Sequence, residues 1–401
     1  MPEKIICIHI GARAHYLLPK ALAAQDKLEM LVTDTWIKDK WLRKLLLKFP
    51  LRMVKSFASR FASEIDSKRV RHFSTAFLMA EIRLRMKHKN NWQLVLARNN
   101  KFQQKALPVF LRLPASPVLG ISYTSLEIFK AAAKRGQRTI LFQVDPAIKE
   151  EKIVAAITAA NADVYPSSWQ KAPPVLWENW RKECSLSDII MVNSEWSRQG
   201  LLEEGIPAEK IKVVPLPFAI NGAHTSFRKE YPVAFSKDRP LQCLFLGTLT
   251  LRKGIHLVLE AAGMLKDYPI EFILVGSTEI EEARLRLPNV HYKGLATRAE
   301  TDAFYKMADV FLFPTFSDGF GLTQLEALAW QLPVVATPFC GEVITDHKDG
   351  VVLRENTAAA LADVLIQFVE RPHLLPSLSA NCLATVQEYN TARFARELAN
   401  L

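Results

Sequence analysis

The sequence predicts two doubly wound, Rossmann-like α/β domains that face each other across a cleft. Apolar segments of strand length alternate with longer helix-like segments over residues 1–218, and the alternation starts again over residues 240–387. A polar stretch, 219–239, separates the two and is interpreted as a linker. We expect the last segment, 388–401, to form a helix that packs back on the first domain. A chain of 401 residues is long enough to bury two separate cores.

The first domain begins with a β-α-β unit, in which a glycine turn at Gly11 follows the first strand. A helix is predicted at 124–135, and Ser194 is a suitable N-cap for another helix. The predicted strands of this domain are 5–10, 28–33, 117–122, 139–144 and 188–193. Strands and helices that alternate in this way indicate a mostly parallel sheet.

The second domain repeats the pattern, with predicted helices at 254–265 and 298–307. Its predicted strands are 243–246, 271–275, 290–292, 310–313 and 333–336. Ligands of such folds bind outside the carboxyl ends of the parallel strands. The cleft between the two sheets is therefore the expected site.

The composition is that of an ordinary globular protein, with 49% apolar and 23% charged residues. Five cysteines are scattered with no Cys-x-x-Cys pair, which argues against structural zinc and disulfides and favours a reducing compartment. The apolar run at the amino terminus is too short for a secretory signal, and no stretch approaches the roughly 18 apolar residues of a membrane span. We therefore expect a cytoplasmic protein.

The net charge of +11 is concentrated in one segment, 38–105, which has 18 Lys and Arg residues against 4 acids. Within it, a basic stretch interleaves its cations with Trp41, Leu42, Leu45, Leu46 and Phe49. Basic amphipathic helices of this kind lie on anionic membrane surfaces, and we expect peripheral contact there. A solvated helix face over an ordinary core is the alternative. No fingerprint of a nucleic-acid-binding module occurs, so nucleic acid is not an expected partner.

One glycine-rich motif, SDGFGLTQLEALAWQLPVV at residues 317–335, holds two acids eight positions apart. Asp318 lies in the turn after a predicted strand, and such a turn directs backbone N–H groups and a helix dipole towards an anion. Glu326 is the only charge in an otherwise apolar helix, so something must hydrogen-bond to it. The two hydroxyls of a ribose would do so; a partly exposed helix acid is the alternative.

A second motif, FLGTLTLRKG at residues 245–254, places Arg252 and Lys253 at the start of a predicted helix. Cations there oppose the helix dipole, which makes the position unfavourable unless they serve a ligand. A diphosphate is a suitable ligand, with Lys as a point charge and Arg as a fork. A pair of ordinary surface cations is the alternative.

Together, five runs of sequence resemble the family 4 retaining glycosyltransferases, also called group 1 glycosyl transferases. The runs are FLGTLTLRKGIHLVLEAA, FILVG, ADVFLFPTFSDGFGLTQLEALAWQLPVVAT and GEVITDHKDGVVL in the second domain, and DIIMVNSEWSRQGLLEEGIPAEKIKVVPLPF at the end of the first. The resemblance implies a GT-B fold. It also implies transfer of a sugar from a nucleotide-diphosphate donor to an acceptor with retention of anomeric configuration.

The resemblance also implies roles for individual residues. Lys253 matches the lysine that binds the donor diphosphate, Glu326 the acid that holds the ribose, and Asp318 the acid near the donor sugar. His15, just past the first glycine turn, could bind donor phosphate or acceptor. Further positions expected around the donor are Gly11, Gly247, Thr248, Gly276, Gly294, Leu295, Gly319, Phe320, Gly321, Leu322 and Glu342. Of these, the glycine-rich turn would face the sugar and phosphates, and Gly276, Gly294 and Leu295 would cradle the base.

The chain departs from the family pattern at several positions. Asp318 stands where the family usually has Glu, and Thr248 where it has Arg, a charge that Arg252 could supply from the same loop. The family's histidine near the reacting centre is replaced by a stretch containing Gln143 and Asp145. Either of these serves instead, or no side chain does.

No Asp-x-Asp motif occurs, so we expect helix termini and cations, rather than a metal, to hold the diphosphate. No GxGxxG follows a predicted strand, which argues against a dinucleotide oxidoreductase. Two alternatives stay open: a nucleotide-sugar epimerase of the same architecture, and a non-catalytic scaffold that keeps the donor site. The basic first domain fits a lipid-linked or anionic glycan acceptor, as in bacterial surface polysaccharide or glycolipid assembly.

Overall fold

The computed structural model describes residues 3–48, 60–87 and 91–401. It confirms the predicted fold class: each domain is built on one parallel sheet, with seven strands in the first and six in the second over these residues. Phe49, which the sequence places in the basic amphipathic stretch, lies outside the described residues.

The first sheet has the strand order β3-β2-β1-β4-β5-β6-β7, and all its pairings are parallel. Its strands are β1 (Ile5–His9), β2 (Leu28–Thr33), β3 (Val70–His72), β4 (Val118–Ile121), β5 (Thr139–Gln143), β6 (Ile189–Val192) and β7 (Ile211–Val213). In the central strand β1, Cys7 lies opposite Leu31 on one side and Leu119 on the other. Helices cover both faces of the sheet, which explains why its strands are continuous apolar runs.

The helices of the first domain are α1 (Leu17–Ala24), α2 (Lys40–Lys48), α3 (Ser74–Lys87), α4 (Asn91–Phe110), α5 (Leu126–Lys134), α6 (Ile148–Ala160), α7 (Pro174–Leu186) and α8 (Glu195–Glu203). Ser194 is the N-cap of α8, as predicted, because its hydroxyl accepts a hydrogen bond from the Ser197 N–H at 3.1 Å.

The second sheet has the order β10-β9-β8-β11-β12-β13, again all parallel. Its strands are β8 (Leu241–Leu246), β9 (Ile270–Val275), β10 (Val290–Tyr292), β11 (Val310–Phe313), β12 (Val334–Ala336) and β13 (Gly350–Val352). The helices that follow the first domain are α9 (Gly222–Ser226), α10 (Ile255–Met264), α11 (Arg298–Met307), α12 (Leu322–Ala329), α13 (Ala358–Glu370), α14 (Leu374–Glu388) and α15 (Thr391–Ala399).

Each sheet reverses its direction of growth at one point, between β1 and β4 in the first and between β8 and β11 in the second. Loops that leave neighbouring strands at such a point run to opposite faces, which opens a crevice at their carboxyl ends. In the second sheet this crevice lies between the segments 247–254 and 314–321, the two sequence motifs.

The chain returns to the first domain at its end. Helix α15 packs against α1, and the Lys27 ammonium donates to the Ala399 carbonyl at 2.9 Å. The Phe218 N–H donates to the Tyr389 carbonyl at 2.8 Å, so the end of α14 is tied to the segment that leaves the first domain.

A fully buried carboxylate, Glu183 of α7, lies at the amino terminus of α5. It accepts from the N–H groups of Tyr123 at 2.7 Å, Ser125 at 2.7 Å and Leu126 at 3.0 Å. These donors lower the pKa of the carboxyl, but burial is the larger effect and raises the pKa from 4.5 to about 7. The contact fixes the loop between β4 and α5 at the edge of the cleft.

We expect Glu183→Gln to lower the free energy of unfolding by about 1–3 kcal/mol, because the amide cannot accept on both sides and one buried donor loses its partner. The folded protein binds more protons at Glu183 than the unfolded chain between pH 4.5 and about 7. The contribution of this carboxyl to stability therefore decreases as the pH rises through that range. Urea unfolding across the range measures both effects. The exposed Glu178→Gln on the same helix is the control, and equal pH slopes for Glu183→Gln and the wild type would contradict the assignment.

Candidate active site

The two motif loops of the second domain are joined directly to each other. The Phe316 N–H donates to the Arg252 carbonyl at 2.8 Å, and the Thr315 hydroxyl donates to the same oxygen at 3.2 Å. The loop after β8 and the loop after β11 therefore form one rigid floor at the point where the sheet reverses direction.

Two cations and two carboxylates meet on this floor. The Lys253 ammonium contacts the Asp318 carboxylate. Arg252 Nη1 lies 3.9 Å from Asp318 Oδ2 and 3.3 Å from Oε2 of Glu150, which belongs to α6 of the first domain. The Ser317 hydroxyl also donates to Glu150 at 3.0 Å, and Arg252 donates to the Ser317 carbonyl at 2.7 Å. The sequence motifs predicted three members of this group, but Glu150 was missed.

Burial of the cluster shifts the pKa values of Lys253 and Glu150. Burial, the larger effect, and the neighbouring Arg252 guanidinium lower the pKa of Lys253 to about 7. The Glu150 carboxylate of the first domain is the main influence that opposes this shift in the pKa of Lys253. Burial likewise raises the pKa of Glu150, and Arg252 is the main opposing influence. An anion beside Lys253 would favour its protonated form and so oppose the effect of burial on its pKa.

The glycine-rich turn contacts the first domain through Gly319. Its carbonyl accepts from the Ser194 hydroxyl at 2.5 Å, and a Cβ at this position would overlap the Val144 carbonyl oxygen. Only glycine fits here without moving the two domains apart. Phe320 is buried, and Gly321 precedes α12 in the left-handed conformation with no side chain capping the helix. The first N–H groups of α12, from Leu322 onwards, are thus a suitable place for an anion.

Glu326 lies one turn further along α12 and is half-buried. Its Oε2 accepts from the Tyr305 hydroxyl at 3.0 Å, a contact between α12 and α11 that the sequence did not predict. Burial and the Glu326 charge raise the pKa of Tyr305, so this phenol stays a donor. Glu326 and Trp330 line a small cavity of about 90 Å³ beside the linker.

The positions expected to cradle a base lie at the ends of β8, β9 and β10. The Gly276 N–H donates to the Gly294 carbonyl at 2.8 Å, and a Cβ on Gly276 would overlap the Gly247 carbonyl oxygen. Leu295 is 65% exposed and Thr248 is exposed. These residues form an open ledge next to the cation cluster.

Glu342 is also exposed, and it follows Gly341 on the loop after β12. The Gly341 N–H donates to the Phe320 carbonyl at 3.0 Å, which places Glu342 next to the glycine-rich turn.

In the first domain, Gly11 already has a partner. Its N–H donates to the fully buried Asp34 carboxylate at 2.9 Å, and Arg60 Nη1 lies 2.5 Å from the other oxygen of Asp34. The turn at Gly11 is therefore stabilised from within, with a guanidinium beside it. His15 is exposed two residues before α1. The Asp34–Arg60 pair was missed in the sequence, where an acid directly after the second strand was the available signal.

Asp145 is held by three hydrogen bonds. Its Oδ1 accepts from the Tyr123 hydroxyl at 2.6 Å, the Gln143 amide at 2.8 Å and the Ala147 N–H at 2.9 Å. The Gln143 side chain is buried and also accepts from the Trp180 indole at 2.9 Å. Gln143 therefore orients Asp145, and Asp145 is the member of the pair that lines the cleft.

Within the ranges 3–48, 60–87 and 91–401, the structure has no cluster of three or more His, Cys, Asp or Glu side chains that could hold a metal ion. Positive charge in the cleft comes from Lys253, Arg252 and the amino terminus of α12.

Comparison with known proteins gives a family match for the second domain. Residues 240–371 match the family model described as Glycosyl transferases group 1. The putative colanic acid biosynthesis glycosyltransferase WcaL of Escherichia coli K12 is 29% identical over 234 residues, which cover 53% of this chain and 56% of WcaL. The amylovoran biosynthesis glycosyltransferase AmsK of Erwinia amylovora is 25% identical over 232 residues, 53% of this chain and 55% of AmsK. The chain thus spans about half the length of the curated relatives it matches.

Among solved structures, Anabaena Alr3699/HepE in complex with UDP superposes with a TM-score of 0.62. The superposition covers 99% of this chain and 98% of HepE at 16% sequence identity, a likeness of fold. The chain therefore has the GT-B fold, and its second domain matches the group 1 glycosyl transferase family.

Proposed function

We propose that the chain is a retaining glycosyltransferase that moves a sugar from a nucleoside-diphosphate donor to an acceptor hydroxyl. One observation carries the proposal: Lys253, Arg252, Asp318 and the uncapped amino terminus of α12 converge where the second sheet reverses direction. This is the group of charges that departure of a nucleoside diphosphate requires.

In this proposal the diphosphate displaces two internal ion pairs. Lys253 exchanges its contact with Asp318 for a phosphate oxygen, and Arg252 turns part of its fork from Glu150 towards the phosphates. Asp318 is then available to accept from hydroxyls of the donor sugar. Because the same groups stabilise the leaving group as charge develops on it, no divalent cation is needed at this position.

Further residues would position the donor. Glu326, oriented by Tyr305, accepts from the ribose hydroxyls, and the ledge at Gly276, Gly294 and Leu295 receives the base. UDP is the first candidate, because HepE, which shares the fold, was solved in complex with UDP. Asp145 lines the cleft on the acceptor side, where three hydrogen bonds fix the position of its side chain so that it can orient an acceptor hydroxyl.

The biological role we propose is bacterial surface polysaccharide or glycolipid assembly with a lipid-linked acceptor. WcaL and AmsK are named for colanic acid and amylovoran biosynthesis, which supports this class of product. All five cysteines are free thiols, in line with work on the cytoplasmic side of the membrane.

Peripheral membrane contact fits the surface of α2. Trp41 is 71% exposed, Leu45 is 37% exposed, and the neighbouring Lys38, Lys40 and Lys44 are exposed. In the part of the chain that the structure describes, no helix combines the length and apolar character needed to cross a bilayer. We propose that α2 lies on anionic lipid headgroups, with Trp41 inserted at the interface.

Calorimetric titration with nucleoside diphosphates tests the donor site. We expect one of them, UDP first, to bind with and without EDTA and to raise the melting temperature. Lys253→Met should weaken binding at least about tenfold, because a desolvated charge-assisted contact is lost. The exposed Lys266→Met removes the same charge elsewhere and should change nothing. Loss of nucleoside-diphosphate binding in EDTA, or equal affinities of the two variants for the nucleotide, would contradict the assignment of the donor site.

Sedimentation with vesicles tests the membrane contact. Wild-type protein should bind vesicles that contain about one-third phosphatidylglycerol, and the triple variant Lys38→Glu, Lys40→Glu, Lys44→Glu should bind about a hundredfold more weakly. The matched control is Lys182→Glu, Lys212→Glu, Lys266→Glu, which changes the charge equally at exposed sites elsewhere. If both triple variants lose binding equally, the contact is not through α2.

A further inference from the structure

A cavity of about 450 Å³ lies between the two domains, next to the proposed donor site. Helices α4, α6 and α7 of the first domain form one side, and the loops after β8 and β9 form the other. Arg252 borders both the cavity and the cation cluster, since its Nη1 is 3.9 Å from Asp318 Oδ2. A molecule in the cavity would therefore lie beside the reacting end of the donor.

Aromatic rings form one wall of the cavity. Trp92, Trp169 and Trp177 all line it and are half-buried. Two of these indoles are held by their N–H groups: Trp92 donates to the Gln170 carbonyl at 2.9 Å, and Trp177 donates to Glu151 Oε1 at 3.0 Å. Trp177 also packs edge-on against Tyr123 and Trp180, with ring centroids 6.0 Å apart in each pair, so its indole is held in place in the cavity wall.

Carboxylates dominate the polar part of the lining. Asp145, Glu150, Glu151 and Glu279 line the cavity, and among the described lining residues the single cationic side chain is Arg252. That guanidinium is directed to the Ser317 carbonyl and Glu150. The cavity is therefore acidic, although the chain as a whole carries a net charge of +11.

The chemistry of the lining selects one ligand class. A pyranose ring presents a C–H face that stacks on an indole, and its hydroxyls donate to carboxylates. A carboxylate or a phosphate on that ring would lose its hydration among charges of the same sign. This would lower the affinity of the ligand several-fold or more. The volume of the cavity also fits a sugar-sized ligand, because about 450 Å³ is within the range of small-molecule pockets.

We propose that this cavity binds the acceptor through an uncharged, polyhydroxylated sugar ring and rejects rings that carry a carboxylate or phosphate. The inference rests on the proposed glycosyl transfer, whose acceptor it specifies. It divides the acceptor between two surfaces: the basic face of α2 meets anionic headgroups, whereas the acidic cavity receives the neutral sugar that is to be extended. The anionic-glycan interpretation drawn from net charge therefore does not apply to the reacting sugar.

Saturation-transfer NMR with methyl glycosides tests the cavity, with and without saturating UDP. The probes are methyl glucoside, galactoside and mannoside, each compared with the methyl uronide where one exists. We expect the best neutral glycoside to bind at least about tenfold more tightly than the uronides. Trp169→Ala should weaken neutral binding about tenfold, and Trp169→Phe should retain most of it, because the phenyl ring keeps a stacking face.

A charge reversal at Glu279 in the cavity lining tests the preference for neutral sugars more directly. Glu279→Lys should narrow the preference for neutral over anionic glycosides about fivefold. Glu281→Lys makes the same change two residues away, at an exposed position outside the cavity lining, and should leave the preference intact. Melting temperatures of all variants verify folding.

Uronides that bind as tightly as neutral glycosides would overturn the inference, as would unchanged binding by Trp169→Ala or no glycoside binding at all. UDP titration of the same samples separates this failure from failure of the proposed function. If UDP binds normally while glycosides fail these tests, only the cavity assignment falls. If glycosides behave as expected but no nucleoside diphosphate binds, the transferase proposal falls.

Discussion

The charges of Arg252 and Lys253 constrain the rest of the cleft. They lie at the start of a helix, where the dipole opposes them, and they are partly withdrawn from water. Such cations are tolerable only opposite carboxylates, and the chain supplies one from each domain, Asp318 and Glu150. The cluster thus stabilises the charges within the second domain and also joins the two domains. An anion that replaced Glu150 at Arg252 would change both the local charge and the interdomain contact.

Under the proposed function, this arrangement would connect donor binding to the relative position of the domains. Glu150 reaches the cluster from α6, whose amino-terminal end follows Asp145, and Gly319 lies against the Val144 carbonyl and the Ser194 hydroxyl. A substitution larger than glycine at 319 would force the glycine-rich turn away from the first domain. Loss of the Glu150–Arg252 pair on donor binding would be offset by phosphate contacts on the same guanidinium, so the domains can stay closed around the reacting groups.

The fold followed from the sequence because buried parallel strands are continuous apolar runs. The strands Leu28–Thr33, Val290–Tyr292 and Val310–Phe313 begin and end where the sequence predicted. The strands β3, β7 and β13, each of three residues at an edge of its sheet, were not predicted.

The position of the two motif loops in the site was predictable, because it also follows from the arrangement of the strands. The two motif loops follow strands that are neighbours in the sheet, so their adjacency follows from strand order. The partners of Arg252, Gly11 and Glu326 in other elements did not follow in the same way. Glu150, Asp34 and Tyr305 are distant in sequence or belong to another element, and only the packing of layers brings them into contact.

The most direct test of the account is the stereochemistry of the reaction. The protein would be incubated with the nucleotide sugar whose diphosphate it binds and with a neutral alkyl glycoside, and the new anomeric proton would be followed by NMR. The account predicts a glycoside with the donor's anomeric configuration, formed in step with nucleoside diphosphate. An inverted product, or isomerised nucleotide sugar without an acceptor, would contradict it.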